Sequence, residues 1–273
     1  MKKIFSLSIL VSTLLLVACG GGNLINNETN NLEIIRIGGT AAPVDVLTET
    51  VPFLEELGFT LEIYEFDDFN LPNIALADGS IDINFFQHQP FLHNFNDVHG
   101  TDLVPVFGVY FVPLRVYEGQ SYDINNIIPG ATMLIPDDLT NEARALLLLQ
   151  SINLIELEDG HGLSTTTNHI VSNPYEIIIM PTSAELIPSL LPDVDFAVIN
   201  GNFAHLAGIT YRAIDGAGEE PGTEAAITFT NYIVVRSGDE NLPSVNALIE
   251  VLQREEIRQF IYNTFEGSIV PVF

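Results

Sequence analysis

Beyond residue 33 the chain keeps alternating short apolar runs with longer amphipathic stretches, and few folds accommodate that rhythm. A short apolar run bounded by Gly, Pro, Asp or Asn suits a buried strand, whereas an apolar stripe returning every three or four residues suits a helix lying on a sheet. The two in alternation predict an α/β fold with a mostly parallel sheet, because parallel neighbours need a crossover helix between them. Residues 34–38 read as a strand. Pro43 then falls in the first turn of a helix that carries Val46, Leu47, Val51, Phe53 and Leu57 and stops at Gly58. Strands follow at 61–66, 81–85 and 103–111, with a short helix at 71–77 and another before 103. A second unit opens near Arg115, with strands at 132–135, 176–180, 195–199 and 228–235 and helices at 141–152, 183–191 and 245–265. Two such units joined by extended segments near Pro113 and Thr230 predict two lobes: residues 32–113 with 231–273 as lobe I, and residues 114–230 as lobe II. Clefts between lobes are where small ligands bind.

The N-terminus obeys a different grammar. Lys2 and Lys3 precede an uncharged apolar run at 4–18 that ends on Cys19 and Gly20-Gly21-Gly22. A basic start, a short apolar segment and small residues describe a secretory signal peptide over 1–18, and the run falls short of the ~20 residues needed to cross a bilayer. The ending Leu16-Val17-Ala18-Cys19 resembles the lipobox of bacterial lipoproteins, which implies that Cys19 is acylated and becomes the new N-terminus. It is the only cysteine, so a disulfide is excluded. Residues 20–31, rich in Gly and Asn, read as a flexible tether holding the domain about 20 Å from the membrane. The expected location is therefore the outer face of the cell membrane, reached through a lipid anchor.

Charge narrows the partners. The chain has 36 acidic residues against 9 basic ones, and every base after Lys3 is an arginine. Such a field repels nucleic acid and anionic headgroups, so no nucleic acid partner is expected. The acids are scattered rather than blocked, as on a solvated surface suited to a salty or alkaline medium. With 47% hydrophobic residues the chain can nonetheless bury a core.

No catalytic centre is recognisable, and neither a metal site nor a cofactor is expected. Gly38-Gly39-Thr40-Ala41 lacks the spacing and the lysine of a phosphate loop, the six histidines show no ligand spacing, and no G-x-S-x-G elbow occurs. Two polar clusters instead stand where strands give way to helices. In the first, Asp138 and Thr140 can cap a helix whose free N–H groups suit a carboxylate, with Asn141 and Arg144 sharing one face. Arg144 is placed to clamp a carboxylate bidentately, or to be a solvated helix residue, or to pair with Glu142. In the second, the strand ending Asn84-Phe85-Phe86 turns abruptly into Gln87-His88-Gln89. His88 there is either a hydrogen-bonded structural group or a ligand contact.

Three runs carry a family resemblance: Phe85-Phe86-Gln87-His88-Gln89-Pro90-Phe91-Leu92, the segment 136–150 with its Thr-Asn-x-x-Arg core, and Phe196-Ala197-Val198-Ile199-Asn200. Occurring in this order, they are similar to the methionine-binding lipoproteins of bacterial ABC importers, the MetQ/NlpA type, from about residue 34 to the C-terminus. The resemblance implies a two-lobed periplasmic-binding-protein fold, type II-like, and a binding protein rather than an enzyme. Its partners would be L-methionine or a similar small amino acid, an ABC permease and that permease's ATPase. It assigns Arg144 and Asn141 to the ligand carboxylate, Asn200 and Asn231 to the amino-acid backbone, His88 to a contact from the opposite lobe, and Phe69 and Phe86 to the ligand side chain. Phe69 stands where the family usually has tyrosine, and Leu139 where it has proline, which bears on side-chain specificity alone. Alternatives are a methionine-containing dipeptide, another small apolar amino acid, or a surface adhesin or structural lipoprotein.

Overall fold

The first strand, β1 (Glu33–Gly39), ends in a glycine pair because nothing larger fits. A Cβ on Gly38 would lie 2.7 Å from both Ile81 and Phe66 side chains, and one on Gly39 would lie 2.8 Å from the Phe85 carbonyl oxygen. The pair serves close packing, not phosphate. Helix α1 (Ala41–Glu56) follows, with Thr40 at its N-cap position but no bond from the Thr40 hydroxyl to the helix, and stops where Gly58 takes φ +89°. The structure, a computed structural model, describes residues 32–273. The proposed signal peptide, Cys19 and tether lie outside the described residues.

The chain continues through β2 (Phe59–Glu65), α2 (Leu71–Ala77), β3 (Ile83–His88), α3 (Gln89–His99) and β4 (Val104–Phe111). It then passes through Val112-Pro113 into β5 (Leu114–Glu118), β6 (Thr132–Pro136), α4 (Leu139–Ser151), the small β7 (Glu156–Leu157) and β8 (Ile170–Ser172), β9 (Ile178–Thr182), α5 (Ile187–Leu190), β10 (Phe196–Asn200), α6 (Gly201–Leu206) and β11 (Ala213–Gly218). It returns through α7 (Glu224–Thr228) to β12 (Thr230–Val235), α8 (Pro243–Leu252), α9 (Glu255–Phe265) and β13 (Val270–Pro271).

Two large sheets result. One has the order β13-β4-β12-β3-β1-β2, the other β11-β5-β10-β6-β9. The first packs β1, β3 and β12 against α1, α8 and α9 through Ile35, Ile37, Val46, Leu47, Ile83, Ile233, Leu248, Ile261 and Phe265. In the second, α4 covers one face through Leu146 and Leu149, while Ile187 of α5 and Phe203 of α6 cover the other. Burying such side chains contributes about 1.5–3 kcal/mol each, which is why helices sit on the sheets at all.

Several expectations are corrected. The sheets are mixed rather than mostly parallel: β1 pairs parallel with β2 and β3, but β12 runs antiparallel to both β3 and β4, and β5 antiparallel to β10 and β11. The chain crosses twice between sheets, and each crossing delivers a strand in the reversed sense. The helix expected at 183–191 shrinks to α5, because Pro188 lacks an N–H and fits only a first turn. Thr228 ends α7 instead of opening the strand. The closing helix is two helices broken at Arg254, whose ψ of 146° is extended. The phase of the apolar stripe explains the break: Val245, Leu248 and Leu252 are buried in α8, and Ile257, Ile261 and Phe265 in α9. The five-residue step from 252 to 257 would put the second set on a different face of one straight helix. Leu57, expected on the apolar face of α1, is exposed.

Candidate functional site

The C-terminal ends of β1, β3 and β10, with the start of β12 and the first turns of α4, open on one crevice. Each strand end is also where an apolar run meets a polar residue. Lining it are Thr40 after β1, Phe86, Gln87 and His88 at the end of β3, Asn200 at the end of β10, Asn231 at the start of β12, and Asn141 and Arg144 in α4. All seven candidate residues named from the sequence, Phe69, Phe86, His88, Asn141, Arg144, Asn200 and Asn231, lie on this one cavity.

Its polar floor is built around one atom, the Asn141 amide oxygen. Asp138 caps α4, accepting from the Asn141 backbone N–H at 3.0 Å, and its two oxygens take the Asn141 Nδ2 group at 3.1 and 2.9 Å. The amide is thereby fixed, with Oδ1 on the other side. That oxygen receives His88 Nε2 at 3.2 Å, Arg144 Nη1 at 3.3 Å and, at the outer limit of a hydrogen bond, Asn200 Nδ2 at 3.5 Å. Three donors converge on an oxygen with two lone pairs, so the cluster has donor capacity to spare for an anionic group. The state of His88 follows from its other nitrogen. Nδ1 accepts from the Phe91 N–H at 3.2 Å, so the ring proton sits on Nε2 and is donated to Asn141. Burial, reinforced by the Arg144 charge, holds its pKa down at about 3, so the ring is neutral at physiological pH. Asn231 is its cross-strand partner in register.

Arg144 is held quite differently from a free clamp. Glu219, in the segment returning from β11, takes Nε at 2.6 Å and Nη2 in a short bidentate pair, and Nη2 also donates to the Val112 carbonyl oxygen at 2.6 Å. The guanidinium lies 4.0 Å from the Phe229 ring centroid, stacked as a cation on a π face. Of its five N–H groups, four are thus engaged and one on Nη1 is left. Neither simple alternative read from the sequence describes it: Arg144 is only 2% exposed, and Glu142 instead accepts from the Thr167 N–H at 2.9 Å. A bidentate grip through the Nε/Nη2 edge is closed off by Glu219.

The opposite wall is aromatic. Phe69 lies 6.0 Å from Phe86, 6.0 Å from Phe91 and 5.1 Å from Phe203 between ring centroids. A buried amide cluster stands behind it: Gln87 and Asn73 exchange hydrogen bonds at 2.7 and 2.6 Å, and Asn84 donates to Asn73 at 2.8 Å, tying α2 to β3. Two buried polar atoms on the cavity make no hydrogen bond within the protein, Thr40 Oγ1 and Asn200 Oδ1. A buried unpaired oxygen costs roughly 1–3 kcal/mol, so each is poised to receive a donor from a ligand.

Sequence reading passed over Thr40, Phe91, Asn202 and Glu219. Thr40 does carry a signal, a hydroxyl directly after a strand and before a helix, within a run that lacks phosphate-loop spacing. Nothing in the local sequence marks Glu219, which reaches Arg144 across 75 positions. No group of metal-ligating side chains occurs among the described residues, and none of their helices is long and apolar enough to cross a membrane.

Comparison with known proteins accords with this geometry. The sequence profile of the family described as NlpA lipoprotein matches residues 35–273. The D-methionine-binding lipoprotein MetQ of Yersinia pestis is 32% identical over 271 residues, covering 98% of this chain and 97% of the relative. Among solved structures, a nutrient binding protein from Burkholderia cenocepacia bound to methionine superposes with a TM-score of 0.81 at 34% identity, over 88% of this chain and 100% of that one. An ABC transporter periplasmic substrate-binding protein from Coxiella burnetii gives 0.80 at 32%, over 87% and 100%. The fold is accordingly that of periplasmic binding proteins, two α/β halves with a ligand cleft between them.

Proposed function

The chain belongs to the NlpA lipoprotein family, and from that premise we propose that it is the solute-binding lipoprotein of an ABC importer, capturing L-methionine and handing it unaltered to a permease and its ATPase. In this reading Cys19 carries the lipid that anchors the protein outside the cytoplasm. Residues 32–113 with 231–273 form lobe I and 114–230 lobe II, and closure of the lobes traps the ligand.

One observation carries the reading: spare donors around Asn141 Oδ1 stand beside the unpaired oxygen of Asn200, within a cage of phenyl rings. A free amino acid presents a carboxylate to accept, an ammonium to donate and a side chain to bury. The carboxylate matches the remaining Nη1 proton of Arg144 and the donors of His88 and Asn141's neighbours. The ammonium matches Asn200 Oδ1 and Asn231, and the thioether matches Phe69 and Phe86, where sulfur against a ring gains about 0.3–1.5 kcal/mol. His88 ends a strand of the first sheet and Arg144 lies in α4, the helix packed on the second, so a ligand touching both favours the closed arrangement.

Mass spectrometry of small molecules released from freshly purified, denatured protein tests this directly, followed by calorimetric titration with both enantiomers of methionine, methionyl dipeptides and other apolar amino acids. Methionine recovered from the cleft and bound stoichiometrically is the expected result. No released amino acid and no heat from any member of the panel would refute it.

A further inference from the structure

Arg144 is the one charged side chain on the cavity wall, and the charge that answers it stands outside that wall. Glu219 grips the guanidinium from behind, is itself held by the Leu114 N–H at 2.8 Å, and has a side chain only 8% exposed. The other titratable wall residues are uncharged: His88 carries its single ring proton on Nε2, and the buried Tyr110 hydroxyl is held well above its ordinary range. Asp138, also behind the wall, caps α4 and faces the positive end of that helix. The one cation on the cavity wall is therefore answered by a carboxylate that stands outside that wall.

We propose that Glu219 is a specificity-determining residue, which cancels Arg144 from outside the cavity and so makes the pocket select a zwitterion over ligands with net charge. The proposal rests on the amino-acid reading above. With Arg144 alone, any carboxylate would be drawn in, and the ammonium of an amino acid would be repelled. With the pair intact, the one free Nη1 proton and the neutral donors still bond the carboxylate, while the ammonium meets no net positive field. A buried unit charge several Å from the ammonium, at the effective dielectric of protein sites, changes affinity by about tenfold or more.

The test uses three ligands of one shape: L-methionine, 4-(methylthio)butanoate, which lacks the ammonium, and 3-(methylthio)propylamine, which lacks the carboxylate. Competition titrations on the full folded domain should rank methionine first for the parent protein. In Glu219→Gln the butanoate should gain on methionine by about tenfold or more, and the amine should weaken. Glu219→Asp, which keeps the charge and shortens the arm, should leave the selectivity ratios at the parental values. Should Glu219→Gln fail to fold, Arg144→Gln supplies the mirror image: Glu219 is then unopposed, and the amine should gain on the butanoate. Equal weakening of all three ligands in the charge-changing variants would mean that the pair only supports structure, and would overturn the role given to Glu219. A parent protein that binds no methionine overturns the amino-acid reading itself, separately from the ratios.

Discussion

Replacing Asn200 by alanine should move stability and binding in opposite directions. Its Oδ1 is buried and makes no hydrogen bond within the protein, so the ligand-free fold bears a desolvation cost of roughly 1–3 kcal/mol that the substitution removes. What is lost in exchange is small. The Nδ2 contact to Asn141 is 3.5 Å long, and the side chain borders an existing crevice, so truncation enlarges that space instead of opening a sealed void in the core. The ligand-free variant should therefore be as stable as the parent or more so by about 1 kcal/mol. Methionine binding should meanwhile lose a hydrogen bond to a charged ammonium, about 1.5–3 kcal/mol, or roughly 10- to 150-fold in Kd. Urea unfolding without ligand measures the first quantity and calorimetric titration the second. A variant destabilised by more than about 2 kcal/mol that binds methionine with parental affinity would refute the reasoning, because Asn200 would then be a structural residue and not a ligand acceptor.

Arg144→Ala should strip Glu219 of its partner inside the protein, costing about 3–5 kcal/mol of stability as well as binding, which parallel chemical denaturation and titration will separate. His88 has its folded pKa near 3, below the ordinary value of an unfolded histidine, so the unfolded chain binds the extra proton between pH 6.5 and 3. Stability should accordingly fall on acidification through that window by up to about 1.4 kcal/mol per pH unit, and His88→Gln should remove this part of the slope in pH-dependent urea melts. Phe69→Ala should narrow the preference for methionine over norleucine by about 0.3–1.5 kcal/mol, read as a ratio of two Kd values. A ratio unchanged by that substitution would mean that Phe69 does not touch the ligand side chain.

The sequence by itself determined most elements and their kind. Apolar periodicity located β1, β3, β10 and α4 to within a few residues, and the change from apolar to polar at the ends of β3 and β6 marked both halves of the site. These are local properties, since side-chain spacing follows from backbone geometry within a dozen residues. Where β12 inserts was not legible, because pairing partners are chosen by long-range fit. The same holds for the break at Arg254, which depends on what each face of α8 and α9 packs against.

The largest gap concerned Arg144. Spacing along one helix put it beside Asn141 and gave it a carboxylate to hold, but could not say whose. Only the tertiary fold brings Glu219, the Val112 carbonyl and the Phe229 ring together around it, turning a free clamp into a paired cation with a single N–H left over. The physical reason is that a buried charge must be neutralised wherever the folded chain supplies an opposite one. Such a partner is fixed by distance in space, which sequence separation does not encode.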